Sequence, residues 1–494
     1  MMARDSTTRL FGLDRLAPAA VALLRAAAAA GGGAPAWLVG GAVRDALLGR
    51  PDADIDLAVP RGALALAERV AARLGATAVV LDAERGAARV AGPAVRVDIN
   101  DLRAPTLEAD LAARDFTVNA LAVPVDRLLA AGRAPLVDPT GGVADLRAGR
   151  LRPAGPGVLT DDPLRTLRAV RLEATLGLRL TPAAARAVRA AAPRLARVSA
   201  ERVRDELVAL LGLAATGRAL RRADALGLLA IVLPEIGPMR ATAQPAPHRF
   251  DVLEHSLRAL TAADRLVARL GALGPWADLI ATHLAEPLGG GVTRREALKL
   301  AALLHDVAKP ETRAVIDGRI RFFGHDGLGA ERVRAVGERL RLPANATRIV
   351  ETLIRHHLRP MHLEQAGQVT RRARYRFFRD LGDESRDLLL LTLADAAAVR
   401  GLSPFAVWRR SSLVRELMAG WQEDREARAV PALLRGEDVM GAFGLAPGPA
   451  VGQLLARARE AQDTGLVMTR EQALAHLRIT LRRRPLPPEE GSVI

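Results

Sequence analysis

"WLVGGAVRDALLGRPDADIDLAV" (Trp37–Val59) packs a double glycine, an Arg-Asp pair and two alternating aspartates into one short run. The apolar Trp37-Leu38-Val39 ahead of Gly40 and Gly41 reads as a strand entering a turn, and the residues after it as a helix leaving the turn. Backbone N–H groups at such a turn and helix start suit a phosphate, and Arg44 adds positive charge. In the strand "DIDLAV", residues two apart share a face. Ile55, Leu57 and Val59 therefore point one way, and Asp54 and Asp56 the other. Two neighbouring carboxylates repel unless a cation lies between them, and their oxygens suit one or two Mg2+ ions. "AVRVDIN" repeats the alternation and places Asp98 on its polar face as a third carboxylate. A solvent-facing acidic strand edge is the alternative reading of these residues alone.

Outward from this stretch the pattern changes once. Short apolar runs ("TAVVLD", "AARVAG", "AVRVDIN") continue to about Val125 and predict a mixed head with a small sheet. Beyond Leu151 the periodicity is helical, with "AVIDGRIRFFG" the one further strand candidate. Residues 14–30 predict a helix stopped by Gly31-Gly32-Gly33, and Thr181-Pro182 a capped helix start. The proline-rich "QPAPHRF" (Gln244–Phe250) predicts a boundary between domains. The spans that follow are 1–34 (N-terminal helix and linker), 35–150 (head), 151–245 (helical neck), 246–420 (a helical block rich in histidine) and 421–494 (helical tail, its last residues disordered).

The chain has 494 residues, more than one ordinary core accommodates. Its net charge of +16 is carried almost wholly by arginine, since Lys299 and Lys309 are the only lysines. A dispersed positive field favours a polyanion such as RNA. There is no cysteine, so disulfides and thiolate metal sites are excluded. No signal-peptide pattern or membrane-length apolar run is visible, which predicts a cytoplasmic protein with no membrane partner.

The stretch Leu38–Val59 resembles the signature of class II tRNA nucleotidyltransferases and bacterial poly(A) polymerases. Two further motifs follow in the family's order. "ARDFTVNALAV" (Ala113–Val123) is similar to the segment that touches ribose and phosphates, and "DDPLRTLRAVRL" (Asp161–Leu172) to the helix that reads the incoming base. The resemblance implies an α+β multidomain chain: a polymerase-β-like nucleotidyltransferase head followed by an all-helical neck, an HD domain and a tail. It implies Asp54, Asp56 and Asp98 as catalytic, with Mg2+ on Asp54 and Asp56. Gly40, Gly41, Arg44, Asp45, Arg114, Asp115 and Asn119 become nucleotide-binding, with Asp162 and Arg165, at i and i+3 of one helix face, on the base edge and Arg168 near the triphosphate. The implied partners are the tRNA 3′ end and CTP and/or ATP. Two departures stand out. The base-reading motif begins Asp161-Asp162 rather than Glu-Asp, and only "APTLEADLA" (Ala104–Ala112) separates "VDINDLR" from "ARDFT". Relatives that build the whole CCA end have a longer flexible loop there, and relatives that add only CC lack it.

A second constellation lies in the helical block: His255, His305-Asp306, His325, His356-His357 and Asp395. The order resembles the HD phosphohydrolase superfamily. That resemblance implies one divalent ion, of unknown identity, on His255, His305, Asp306 and Asp395, and a second completed by His325 and His356 or His357. The rival readings are a poly(A) polymerase, a protein that is mainly an HD-type hydrolase of nucleotides or RNA ends, and a non-catalytic RNA-binding protein.

Overall fold

The computed structural model describes residues 9–50, 54–93 and 95–483, apart from the side chains of 422–429 and 483. The chain divides into two units: 1–206 with 222–232, and 207–221 with 233–494.

The first unit is built on a six-stranded sheet in the order Thr77–Asp82, Ala87–Gly92, Val95–Asp101, Ile55–Val59, Trp37–Val39, Ala122–Pro124. Ile55–Val59 and Val95–Asp101 run parallel, and every other neighbouring pair is antiparallel. The alternation read in the sequence is realised: Ile55, Leu57 and Val59 are buried against Val97 and Ile99 while Asp56 keeps to the opposite face. The helices Pro18–Gly31 and Ala63–Leu74 cover the apolar face. The N-terminal helix is therefore part of the head rather than a separate segment, because Leu23, Leu24 and Ala27 supply the same core. Leu10–Gly12 also pairs with Arg133–Pro135, a strand pair too short to leave a periodic signal.

Behind the sheet come the helices Arg165–Leu176, Pro182–Ala191 and Ala200–Leu211. The Thr181 hydroxyl caps the second, accepting from Ala184 N at 3.2 Å as its Thr-Pro start predicts. A two-residue parallel pairing, Arg150–Leu151 with Arg179–Leu180, was not anticipated. The expected single neck is also divided, since residues 207–221 and 233–245 belong to the second unit.

The second unit is almost wholly helical. Val252–Ala268, Arg294–Leu304, Ala344–His356 and Glu384–Arg400 pack on one another around leucines that are fully buried. The predicted strands appear as the hairpin Ala314–Ile316 with Arg319–Arg321, and a second short hairpin joins Pro287–Gly289 to Val292–Thr293. Gly436–Phe443, Pro449–Asp463 and Arg470–Arg483 make a small core of their own around Leu454 and Leu477. Residues 484–494, expected to be disordered, lie outside the described residues. Among the described residues no single helix is long and apolar enough to cross a membrane.

Candidate functional site

Gly40 adopts φ 70° and ψ −133°, and a Cβ there would stand 3.3 Å from Arg114 Nη1 and 3.4 Å from Asp56 Oδ2. Only glycine allows this approach of turn, arginine and carboxylate. Gly41 then begins the helix Gly41–Leu47. Arg44 donates to both oxygens of Asp45 at 2.8 and 2.6 Å, and its Nη1 reaches Asn119 Oδ1 at 2.5 Å. Asn119 Nδ2 donates to Asp115 Oδ1 at 3.0 Å, and Arg168 Nη1 lies 3.6 Å from Asp115 Oδ2. A polar chain thus runs from the glycine turn through the segment after Arg114 to the helix Arg165–Leu176. Arg114 is steadied by Asp110 at 3.2 Å.

Asp56 and Asp98 are direct neighbours in the parallel register of their strands. Burial and then the charge of Asp98 push the Asp56 carboxyl up to about 6, against the opposing pull of Arg114 and Arg96. Asp54 stands exposed just before the strand, with Arg96 Nε at 3.4 Å. Asp98 is gripped by Arg89 through two bonds of 2.7 and 2.8 Å. Arg89 was missed in the sequence, although it sits opposite Asp98 in the strand pairing and shares its face. Asp56 and Asp98 on adjacent strands, with Asp54 just ahead of the first, offer oxygens of the kind a hard divalent cation takes.

A cleft of about 1640 Å³ opens in the same unit, lined by Asp161, Asp162 and Arg165 with Arg61, Arg85, Arg103, Arg194, Arg197 and Arg202. Asp162 and Arg165 do not share a helix face as expected. The helix Val158–Asp161 ends before Asp162, which is extended (φ −135°, ψ 94°), and Arg165 begins the next helix. Pro163 explains the break, since the residue before a proline avoids the helical region. The two side chains still meet, Arg165 Nε lying 3.9 Å from Asp162 Oδ2. Arg165 Nη1 donates to the carbonyls of Ala113 and Val158 at 3.1 and 3.2 Å, which fixes the guanidinium and leaves other N–H groups to face the cleft. Arg202 Nη2 donates to Asp162 Oδ2 at 2.8 Å, a partner unread in a chain where arginine is everywhere.

In the second unit the histidines and aspartates converge. His255, His305 and Asp395 form one group and Asp306, His325 and His357 another, with the ligand atoms of each within 4.8 Å of one another. His255 Nε2 lies 3.2 Å from His305 Nε2 and 3.0 Å from Asp395 Oδ1. His325 Nε2 lies 3.2 Å from His357 Nε2 and 3.4 Å from Asp306 Oδ1. His305, His325 and His357 each bond through Nδ1 to the carbonyl three residues earlier, at 3.1, 2.6 and 2.6 Å. Those bonds turn every Nε2 inward, the arrangement that presents imidazole to a metal.

Burial alone would raise the Asp306 carboxyl, but His305 and Lys309 hold it well below the usual range. Burial lowers His357 to about 4, so it offers a neutral nitrogen. Both Asp306 oxygens are buried, with Lys309 Nζ 2.7 Å from Oδ2 and His325 Nε2 3.4 Å from Oδ1. That buried carboxylate, ringed by imidazoles, fits a divalent metal.

The grouping corrects two expectations. Asp306 faces His325 and His357 as well as His305, and His356 takes no part. Successive helical residues point about 100° apart, so only one of an adjacent histidine pair can face the cluster. Three neighbours were missed. Lys309 Nζ lies 2.7 Å from Asp306 and donates to Gln244 Oε1 at 2.7 Å, and the His248 ring stands 5.1 Å from His255. The proline-rich run that read as a boundary therefore packs against the cluster. Lys309 had a signal: a rare lysine in an arginine-biased chain, three residues after Asp306.

Known families match the chain in both regions. Residues 36–152 match the poly A polymerase head domain, 177–239 the probable RNA and SrmB-binding site of polymerase A, and 252–399 the HD domain. The chain is 40% identical to the A-adding tRNA nucleotidyltransferase of Deinococcus radiodurans, over 89% of this chain and 94% of that one. It is 37% identical to the CC-adding enzyme of Thermus thermophilus, over 90% and 93%. In fold it is similar to the Thermotoga maritima CCA-adding enzyme complexed with tRNA (TM-score 0.60, 20% identity, 96% and 99% covered). The chain belongs to the tRNA nucleotidyltransferase and poly(A) polymerase family, and an HD domain follows its transferase head in the sequence.

Proposed function

We propose that the chain is a template-independent, cytoplasmic nucleotidyltransferase that extends the 3′ end of tRNA with C and/or A from CTP or ATP, making part rather than all of the CCA end. The observation that carries this reading is the carboxylate trio on the same unit as a cleft that holds an aspartate and an arginine side by side. Asp54, Asp56 and Asp98 would hold Mg2+. Bound there, the metal lowers the pKa of the attacking 3′-hydroxyl and offsets charge on the departing pyrophosphate. The glycine turn, with Arg44, Asp45, Arg114, Asp115, Asn119 and Arg168, positions the ribose and triphosphate, so that the new ester forms at the α-phosphorus as the bond to pyrophosphate breaks.

Asp162 and Arg165 account for the choice of base. Cytosine and adenine both present an exocyclic amine beside a ring nitrogen, whereas uracil and guanine present a carbonyl at the amine's place. A carboxylate acceptor beside a guanidinium donor matches the first pair and repels the second. The partial-tail reading is supported by the segment after the carboxylate strand. Residues 104–112 hold no long loop but a short helix, Leu107–Ala112, capped by the Thr106 hydroxyl. Primer extension on tRNA ending at the discriminator base, at C and at CC, each with CTP, ATP or both, tests the reading. Products stopping at CC, or A added only to the CC-ended tRNA, support it. Growth from the discriminator to CCA refutes the partial-tail reading, and a long ladder from ATP makes the protein a poly(A) polymerase.

A second reading concerns the histidine cluster: it binds divalent metal and hydrolyses a phosphoester on a nucleotide or RNA end. The convergence of His255, His305 and Asp395, and of Asp306, His325 and His357, supports it. Metal analysis of the purified protein, with release of phosphate from a 2′-phosphorylated tRNA end, tests it. Absence of bound metal after incubation with Mn2+, Co2+ or Ni2+ would end it.

A further inference from the structure

The hairpin Ala314–Ile316/Arg319–Arg321 leads directly into Phe322, Phe323, Gly324 and the cluster residue His325. Its register pairs Ala314 with Arg321 and Ile316 with Arg319, so both arginines share one face with Ile316. Phe323 lies in the turn just beyond the strand and is 73% exposed. Arg313, at the foot of the hairpin, is exposed as well. None of these three arginines has an ion-pair or hydrogen-bond partner among the described residues. The adjoining helix behaves otherwise, for Arg332, Arg334 and Arg339 are tied to Glu311, Glu351 and Glu235. The one carboxylate within the hairpin, Asp317, lies in its turn, where φ is 50°.

Ile316 is 42% exposed as well, so the hairpin and Phe323 present apolar surface next to these guanidinium groups. It is the combination that stacks an unpaired base and holds the adjoining phosphates. A duplex offers its bases no such access. The hairpin is also continuous with the cluster. The Phe322 carbonyl accepts from His325 Nδ1, and the Phe322 ring lies 5.5 Å from Lys309 Nζ. We propose that this hairpin and Phe323 form a docking platform for a single-stranded RNA 3′ end, which is thereby led to the histidine–aspartate cluster. The docking stands on the hairpin's own chemistry, and delivery to the cluster rests on the hydrolytic reading above.

The test is photo-crosslinking of the full-length protein to a short 4-thiouridine-labelled single-stranded RNA, with adducts located by mass spectrometry. The expected result is an adduct on the peptide holding Phe322 and Phe323, weakened about tenfold by Phe323→Ala with Arg319→Ser and Arg321→Ser, and restored by Phe323→Trp. Nucleotide addition to tRNA should be unchanged in all these variants. Adducts confined to other peptides, or undiminished in the triple variant, overturn the proposal. So does a triple variant whose only change is in sedimentation, because the hairpin is then a contact between protein chains. A crosslink that persists in His305→Ala while hydrolysis is absent even from the wild type would sink the hydrolytic reading and leave the docking intact.

Discussion

Asp54 and Asp56 stand two apart on one face, and nothing in the head's apolar core requires them there. Replacing Asp54 by alanine removes an exposed carboxylate that pairs with Arg96. We expect nucleotide incorporation to fall by more than about a hundredfold, because a direct metal ligand matters at least as much as the groups that orient one. Retention of tRNA on a filter should be unaffected, and persistent incorporation would refute the assignment. Arg202 acts one step further out, since it touches Asp162 rather than the base. Arg202→Ala should leave C or A addition within a few-fold while raising misincorporation of U or G about tenfold, the order of a hydrogen bond to a charged group. Competition assays with mixed nucleotides read that ratio. What was legible at this scale followed from strict spacing: the carboxylates from a two-residue period, the histidine–aspartate cluster from its order. Arg89 and Arg202 were not legible, because their partners lie 9 and 40 residues away and arginine is too common here to draw notice.

At the scale of elements, the sequence favoured what is periodic. The sheet strands and most helices appear where their apolar spacing placed them, and the misreadings fall at joints. Pro163 broke an expected helix, and two-residue strand pairs carried no period to detect. The helical tail was anticipated, but not how it is attached. Glu460, on the helix Pro449–Asp463, is gripped by Arg372 and Arg376 from the helix Arg371–Leu381. Burial opposes its ionisation, yet the bonds from the two arginines win and hold its carboxyl below the usual range. A depressed carboxylate pKa stabilises the fold at pH values above the unfolded value, here 4.5, and that contribution is lost as pH falls through the folded value. Both arginines are partly exposed, so the contribution is about 1 kcal/mol or less. Hydrogen exchange at Pro449–Asp463 should therefore quicken more on going from pH 6 to pH 4 in the native protein than in Glu460→Gln, after correction for the intrinsic exchange rate. Equal changes in both would show that this grip does not secure the tail.

Across the whole molecule, the chain passes from one unit to the other at 206, returns at 222 and leaves again at 232. The short excursion 207–221 is therefore a place where the second unit must hold chain that the first unit supplies on both sides. Lys299 holds it. Its ammonium is 1% exposed, donates to the carbonyls of Leu211 and Leu213 at 2.9 and 2.6 Å and to Thr216 Oγ1 at 3.0 Å, and faces Asp264 at 3.0 Å. Asp264 in turn accepts from Gly217 N at 2.8 Å, so the pair clamps the middle of the excursion, from Leu211 to Gly217. A buried ion pair is weak support in itself, because desolvation offsets much of the attraction, but removing one partner strands the other. Lys299→Met fills a similar volume, leaves the Asp264 charge without its cation and two carbonyls without their donor, and we expect a loss of about 3–5 kcal/mol in urea unfolding of the second unit. Adding Asp264→Leu removes the stranded charge, so the double variant should recover most of that loss, while nucleotide binding to the first unit persists in both. If the single variant were as stable as the native chain, the excursion would be held by packing alone. A double variant no better than the single would instead mean that the carbonyls at the end of Ala200–Leu211, rather than the ion pair, are what Lys299 is needed for.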